Sequence, residues 1–286
     1  MFSKYFIVNI NKKKMIAMTR ITGSLTFVGL GLYDTEDLCA RGLLCLQKSD
    51  TIFAEFYTSK LGIFDKKKFE YQIGKTITIL TREQTETGDD IINTARSKHV
   101  ALLACGDPMT ATTHVDLRLR AAKNGVPTHI VHASSILTAA PGLLGLQAYK
   151  FSRSTTLAYP QKNFFPTSPY DIIKTNLTNG LHTLVFLDIQ ADNNVYMTAN
   201  DGLRLLLEMG EKLNDDTLNG RTLACVVARA GSDQPLVAAD EIDALIAKDF
   251  GAPLHILVIP GALHFIEVEA LSVFAGLPPK LAAARA

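Results

Sequence analysis

Three glycine-containing segments that follow predicted strands could together form a ligand site. They are GLGLYD at 29–34, CGDPMTATTH at 105–114 and ARAGS at 228–232. In open α/β sheets, ligands bind beyond the carboxyl ends of the strands, and glycine lets a ligand approach the backbone closely. The three segments therefore predict a ligand cleft, although each segment taken alone is also typical of a tight strand-to-helix turn.

The first segment fits only part of the glycine fingerprint of dinucleotide-binding proteins. Gly29 and Gly31 match its first two glycines, and Glu55 near the end of the next predicted strand could replace the ribose-binding acid. Position 34, however, is Asp where the fingerprint has the glycine that permits close helix–strand packing. A carboxylate there also opposes a pyrophosphate at a helix start. A nicotinamide enzyme remains an alternative that this departure disfavours.

Polar residues of the second segment have both functional and structural interpretations. Asp107 could accept hydrogen bonds from a ligand, or it could cap a helix that starts near Pro108. His114 could face the cleft, or it could be a satisfied histidine on a helix face. For His255, in the last predicted strand, the alternative is a histidine of the core or the sheet edge.

From Ser24 onward, apolar runs alternate with amphipathic stretches, which predicts alternating strands and helices. In the first half the predicted strands are 24–30, 50–57, 75–80, 99–106 and 127–133, and the predicted helices are 35–48, 89–98 and 112–123. Because these strands are nearly all apolar, we expect a parallel sheet covered on both faces and wound by right-handed crossovers.

Prolines and glycines between residues 134 and 170 indicate a domain junction. Beyond it the alternation continues with a different spacing: predicted strands at 155–160, 182–189, 221–231 and 253–261, and predicted helices at 198–213 and from about Leu263. We therefore expect an α/β protein of two α/β domains, 23–135 and 136–286, with a ligand cleft between them. Residues 1–22 are predicted to be a disordered extension, with a basic binding arm as the alternative.

Composition and charge exclude several classes of function. Hydrophobic residues make up 47% of the chain, charged residues 20%, and the net charge is +1, which is normal for a globular protein and provides no global field for nucleic acid or membrane lipid. No run approaches the about 18 apolar residues of a membrane span. The four cysteines form no CxxC pair and the seven histidines no HxxxH or HxH motif. We therefore expect neither a metal site nor disulfides, and a reducing, cytoplasmic compartment.

The order of these motifs resembles a known family. A GLG strand end followed by GDP, a small residue and a helix is similar to the tetrapyrrole-methylase type of methyltransferase, which binds S-adenosylmethionine between two α/β domains. The match narrows to the diphthine synthase family over about residues 25–274. The segments that carry it are FVGLGLYD, FAEFYTSKL, GDPMTATTH, HASSI, NFFPTSPYD, GLHTLVFLDI, YMTAN, ACVVARAGS and PLHILVIPGALHFIE. HASSI departs at Ser134, where this family commonly has proline.

The resemblance implies a set of cofactor-binding residues. Residues at strand ends of the first domain would contact S-adenosylmethionine, and residues of the second domain would close the site. These eight residues are Leu32, Asp107, Thr110, Ser135, Ile136, Leu187, Ala230 and His255. No residue is a convincing general base, so no catalytic residue is assigned. Tyr33, Asp34, Tyr57 and the segment 163–171 are candidates for acceptor recognition, with core aromatics and turn prolines as the alternative.

The resemblance also implies the reaction and the partners. The acceptor would be the amino group of a modified histidine on elongation factor 2, a precursor of diphthamide, and a homodimer is typical of the family. Because the methyl donor is already activated, placement can supply much of the rate. Two alternatives stay open: C-methylation of a tetrapyrrole, which would need Arg or Lys at the cleft edge, and a non-catalytic nucleotide- or protein-binding module.

Overall fold

The computed structural model describes residues 22–162 and 164–285. The predicted extension at 1–22 lies almost wholly outside these residues. The first half forms a five-stranded sheet with all neighbouring strands parallel, in the order β3-β2-β4-β1-β5. Its strands are β1 (Ser24–Gly29), β2 (Thr51–Glu55), β3 (Ile77–Leu80), β4 (His99–Ala104) and β5 (Thr128–Val131). The parallel sheet that the apolar runs predict is confirmed.

Helices cover both faces of this first sheet. They are α1 (Ala40–Lys48), α2 (Lys66–Ile73), α3 (Arg82–Thr87), α4 (Asp89–Ala95) and α5 (His114–Lys123), with a 3-10 turn at Thr35–Asp37. Successive residues of β1 point to opposite faces, so that Leu25 and Phe27 join one core cluster and Val28 joins the other. Burial on both faces explains why the strands lack the apolar–polar alternation of a half-exposed sheet.

The second half forms a mixed sheet in the order β11-β10-β12-β7-β6, in which only β6 and β7 run parallel. Its strands are β6 (Thr155–Leu157), β7 (Thr183–Leu187), β10 (Leu223–Ala228), β11 (Leu236–Glu241) and β12 (His255–Ile259). A two-stranded hairpin of β8 (Ile189–Gln190) and β9 (Val195–Tyr196) follows β7. The strand β11 was not predicted, because its sequence LVAADE has no clear alternation.

Helices also cover the second sheet. They are α6 (Ile136–Leu144), α7 (Ser168–Thr178), α8 (Ala199–Leu213), α9 (Ile242–Ile246), α10 (Phe265–Phe274) and α11 (Pro279–Ala283), and 3-10 turns lie at Ala148–Lys150 and Ala191–Asn193. The predicted helices at 198–213 and from about Leu263 correspond to α8 and α10. Ala140 and Leu144 of α6 pack against the second sheet, which favours a domain boundary after Ser135. That boundary stays a proposal.

A buried ionic cluster fastens the start of α10 to the second sheet. Glu267 is fully buried and its carboxylate accepts hydrogen bonds from His182 Nε2 (2.9 Å), Lys150 Nζ (2.6 Å) and the backbone N–H groups of Gln147 and His264 (2.8 Å each). His182 Nδ1 accepts a further bond from the Gly261 N–H at 2.9 Å. We name Lys150, His182 and Glu267 the α10 anchor. No helix within the described ranges is long and apolar enough to span a membrane.

Candidate functional site

A cavity of about 550 Å³ lies between the two sheets and is lined from both halves of the chain. All eight residues named from the sequence line it: Leu32, Asp107, Thr110, Ser135, Ile136, Leu187, Ala230 and His255. Its volume falls in the range of small-molecule sites. The three glycine-containing segments thus meet in one place, as predicted from the carboxyl ends of strands.

The floor of the cavity is formed where β1 and β4 end side by side. The Gly106 N–H donates to the Gly31 carbonyl at 2.6 Å, and the Gly31 N–H donates back at 3.4 Å. A Cβ on Gly29 would lie 2.5 Å from the Gly106 carbonyl oxygen, so glycine is required for this close approach. A Cβ on Gly106 would meet no atom closer than 4.0 Å. The backbone at Gly106, which lines the cavity, is therefore open to a ligand.

The loop after β1 is held by Asp37, which sequence reasoning missed. Its Oδ2 accepts hydrogen bonds from the N–H groups of Leu32 and Tyr33, both at 2.8 Å. Gly231 of the second domain packs against this loop, since a Cβ there would lie 2.8 Å from Leu32 Cβ. Asp34 turns away and caps the 3-10 turn at Thr35–Asp37, accepting from the Glu36 N–H at 2.8 Å. Asp34 is not a lining residue, so its assignment to acceptor recognition loses support.

Asp107 does not cap α5, because that helix begins seven residues later at His114. Its carboxylate instead ties two loops together. Oδ1 accepts from the Met109 N–H (2.9 Å) and faces the Thr110 hydroxyl at 3.5 Å. Oδ2 accepts from His132 Nδ1 (2.7 Å) and the Ala133 N–H (3.3 Å). The alternative in which Asp107 caps a helix starting near Pro108 is therefore wrong, whereas the helix predicted at 112–123 corresponds to α5. Asp107 is largely buried, with 8% of the residue exposed, and its carboxylate shapes the edge of the cavity.

His255 is both a satisfied core histidine and a lining residue. Its Nδ1 accepts from the Ala199 N–H at 3.1 Å, so Nε2 carries the proton and donates to the Ala252 carbonyl at 3.1 Å. Burial lowers the pKa of His255, although the hydrogen bond to Ala252 opposes this. The ring is therefore neutral at pH 7 and presents an edge to the cavity without positive charge.

The remaining acceptor candidates separate into two groups. Tyr33 and Tyr57 line the cavity. Tyr170, in the segment 163–171, is fully buried and its hydroxyl accepts from the Leu218 N–H at 3.0 Å and donates to the Asp215 carbonyl at 2.9 Å. Because Tyr170 belongs to the core, the second half of that segment has a packing role, which was the alternative interpretation.

Several further lining residues were not found from the sequence. They come from the loop after β2, from α3 and from the loops after β7 and β10: Thr58, Ser59, Lys60, Arg82, Glu86, Asp188 and Arg229. A usable signal was present for Thr58, which follows the apolar strand TIFAE. The sheet order makes β2 the neighbour of β4, so the residues after β2 reach the same edge as Gly106.

His114 does not line the cavity. It is 1% exposed, and its Nδ1 lies 2.8 Å from the Pro108 carbonyl oxygen. This agrees with a helix-face histidine, except that Nε2 has no hydrogen-bond partner among the described residues.

Comparisons with known proteins identify relatives over most of the chain. The family model of Tetrapyrrole (Corrin/Porphyrin) Methylases matches residues 24–245. The diphthine synthase of Methanothermobacter thermautotrophicus is 50% identical over 254 residues, which is 89% of this chain and 96% of the relative. That of Methanosarcina acetivorans is 47% identical over 262 residues, 90% of this chain and 98% of the relative.

Solved structures show the same similarity. A crystal structure of diphthine synthase superposes with a TM-score of 0.81 at 37% identity, covering 91% of this chain and 98% of that one. A putative diphthine synthase from Entamoeba histolytica superposes with a TM-score of 0.82 at 34% identity, covering 88% of this chain and 98% of that one.

Proposed function

The chain belongs to the tetrapyrrole methylase family and, within it, to the diphthine synthases, and from this membership we propose that it methylates a modified histidine of elongation factor 2. The enzyme is a methyltransferase of diphthamide biosynthesis. The proposed donor is S-adenosylmethionine, and the proposed acceptor is the amino group of the diphthamide precursor, giving diphthine. The observation that carries this proposal is the similarity to diphthine synthases over about nine-tenths of the chain.

The cavity suits the proposed donor, which supplies an activated methyl group when bound. Gly106 leaves room for the donor to approach the backbone closely, and Asp37 fixes the loop that presents Leu32 to the cavity. Leu32, Ile136 and Leu187 provide apolar walls. We therefore propose that the eight residues named from the sequence bind S-adenosylmethionine in this cavity. The protein's contribution is to hold donor and acceptor in line and to exclude water.

Replacing Asp107 tests this cofactor site. Asp107→Ala removes the acceptor that ties Met109 and Ala133 at the cavity edge, so we expect S-adenosylhomocysteine to bind about tenfold or more weakly. Calorimetric titration measures the affinity, and thermal unfolding measures the accompanying stability loss. Asp116→Ala is the control, because Asp116 is an exposed residue of α5 that pairs with Arg120. Equal affinity in Asp107→Ala and the parent protein would remove Asp107 from the site.

Mass spectrometry of elongation factor 2 tests the reaction itself. The factor carrying the precursor histidine is incubated with this protein and S-adenosylmethionine. We expect its mass to rise by whole methyl groups confined to the modified histidine, and the spectrum also counts them. No mass increase on verified precursor would contradict the proposed acceptor.

The tetrapyrrole alternative has less support from the cavity. Such substrates are large and acidic, and three basic residues do line the cavity: Lys60, Arg82 and Arg229. However, Lys60 Nζ lies 3.7 Å from the centre of the Tyr196 ring, and Arg229 donates to the carbonyls of Phe250 and Ala252. Arg82 Nε donates to Glu86 Oε1 at 2.8 Å. All three cations are therefore already engaged by the protein.

A homodimer is proposed as the working assembly. Helix α10 buries Val268 and Leu271, yet Ile266, Val273 and Phe274 on its other side are exposed. A helix that is apolar on both sides is normally covered on both, so we propose that a second copy of this chain covers it. Sedimentation equilibrium should then give twice the chain mass.

We also propose a cytoplasmic location, which the four free cysteines favour.

A further inference from the structure

Glu55 and His114 form a buried acid–histidine pair behind one wall of the cavity. The proposed cofactor residues do not belong to that wall. Glu55 is the last residue of β2 and is fully buried, and His114 is the first residue of α5 and is 1% exposed. His114 Nε2 lies 3.5 Å from Glu55 Oε1. Ionisable groups this deeply buried are costly unless they are paired, so this pair needs an explanation.

The hydrogen bonds of His114 fix which nitrogen can take a proton. Its Nδ1 lies 2.8 Å from the Pro108 carbonyl oxygen, which can only accept, so Nδ1 carries hydrogen in every protonation state. Nε2 has no hydrogen-bond partner within residues 22–162 and 164–285. The site between Nε2 and Glu55 Oε1 therefore has room for one more proton, held by either group.

Thr58 connects this pair to the cavity. Its hydroxyl donates to Glu55 Oε1 at 2.6 Å, and its N–H donates to Glu55 Oε2 at 3.2 Å. Thr58 itself lines the cavity. It stands beside Tyr57 and Thr113, whose hydroxyl groups are 3.4 Å apart and which also line the cavity. Because these three residues line the cavity and are not among the eight proposed cofactor residues, we assign this polar wall to the acceptor.

We propose that Thr58, Glu55 and His114 form a proton relay that deprotonates the acceptor amine. This inference rests on the proposed amine acceptor. An N–H bond of the ammonium group breaks and its electron pair stays on nitrogen. The proton goes to the Thr58 hydroxyl oxygen as that hydroxyl gives its own proton to Glu55. The proton then rests on the Glu55 carboxylate or on His114 Nε2. Atoms and charge balance, because one cation becomes neutral and the pair gains one positive charge.

Other ionisable groups that face Glu55 do not compete for this proton. Tyr57 follows it on the chain, and burial raises the pKa of its phenol. Cys105 faces it from the end of β4, and burial raises the pKa of its thiol well above the ordinary value. Both groups stay neutral at pH 7. Glu86 and Arg82 of α3 lie beyond Tyr57 and carry opposite charges.

The pH dependence of methyl transfer tests the relay. Thr58→Val keeps the side-chain shape and removes the hydroxyl. We expect its kcat at pH 7 to fall about 100-fold, as for loss of general base catalysis, and to recover steeply as the pH rises and solvent deprotonates the amine. Glu55→Gln should behave in the same way. The affinity for S-adenosylhomocysteine should stay at the parent value, because neither change removes a proposed cofactor contact.

Thr175→Val is the matched control, since Thr175 is an exposed residue of α7 whose hydroxyl donates to the Asp171 carbonyl at 2.8 Å, away from the cavity lining. Its rate and pH profile should equal those of the parent. A Thr58→Val enzyme with the parent profile, or one whose rate falls equally at every pH, would overturn the relay while leaving the proposed methyl transfer intact.

Nitrogen NMR of His114 gives a readout that needs no turnover. We expect Nδ1 to be protonated throughout and the Nε2 signal to change in Glu55→Gln but not in Thr175→Val. An Nε2 signal identical in the parent and Glu55→Gln would overturn the shared proton. If the parent protein does not methylate the factor, the proposed function fails, and this spectrum still decides whether Glu55 and His114 exchange a proton.

Discussion

Glu267→Ala is expected to lower the free energy of unfolding by about 3–5 kcal/mol. The carboxylate of Glu267 receives four hydrogen bonds in the α10 anchor, and its removal leaves Lys150 and the N–H groups of Gln147 and His264 without their partner. The loss is large because a partly buried cation then has no counter-charge and two backbone N–H groups lose their acceptor. Urea unfolding followed by circular dichroism measures it.

The neighbouring acid supplies the control for this substitution. Glu269 lies two residues further along α10 and is exposed, so Glu269→Ala should change stability by no more than about 0.5 kcal/mol. If the two variants lose similar amounts of stability, the α10 anchor is not a stabilising element.

The α10 anchor also determines how the stability of the protein changes as the pH falls. Burial raises the pKa of Glu267, but hydrogen bonds from His264, Lys150, Gln147 and His182 outweigh it and bring the pKa to about 2. Because the folded-state pKa lies below the ordinary 4.5, this stabilisation is complete above pH 4.5 and is lost as the pH falls toward 2. The pKa of His182 is lowered by burial. The protein therefore loses further stability as the pH falls below 6.5, because the unfolded state then binds this proton more readily. Glu267→Ala should lack the loss between pH 4.5 and 2.

Gly31→Ala is expected to reduce methyl transfer at least about 100-fold, as for a misplacement of about 1 Å in a positioning site. Gly31 has a φ of +83°, and a Cβ there would lie 2.2 Å from Asp37 Cβ. Asp37 is the residue that holds the N–H groups of Leu32 and Tyr33. The added methyl group must therefore push away the clamp of the loop that lines the cavity. Turnover and S-adenosylhomocysteine binding should fall together.

Gly74→Ala is the control that distinguishes the effect of this clash from the effect of backbone strain. Gly74 has a similar φ of +69°, but a Cβ there would meet no atom within 4 Å. Both alanines carry the cost of a left-handed conformation, about 1–2 kcal/mol, and only Gly31→Ala adds the collision. We expect Gly74→Ala to lose stability and to keep its catalytic rate. A rate loss as large in Gly74→Ala would show that general destabilisation, not the loop, limits activity.

The elements that could be predicted from the sequence are those whose pattern is local. The apolar strands β1 and β4 and the amphipathic helix α8 have unambiguous periodicity. Helix α6 was missed because Pro141 and Gly142 are typical of a turn, whereas packing of Ala140 and Leu144 against the second sheet stabilises a helix there. The edge strand β11 depends on pairing with β10, which no local pattern reveals.

The lining of the cavity was likewise predicted in part from the sequence. Residues next to the glycine-containing strand ends were found, because the carboxyl ends of parallel strands share one edge. The wall formed by Thr58, Arg82 and Glu86 was missed, since its place beside Gly106 follows from the strand order β3-β2-β4-β1 and not from any motif. Asp37 was missed because its hydrogen bonds reach back along a loop.

The paired glycines at the ends of β1 and β4 also constrain how this chain can evolve. A side chain at Gly29 would collide with Gly106, Ala133 and Pro108, which belong to two other strand ends. No single substitution at Gly29 can therefore be accommodated by a neighbouring residue alone, because three segments would have to shift together. We expect Gly29 to tolerate almost no substitution, and diversification toward new acceptors to proceed at Ser59 and Lys60, which line the cavity after β2.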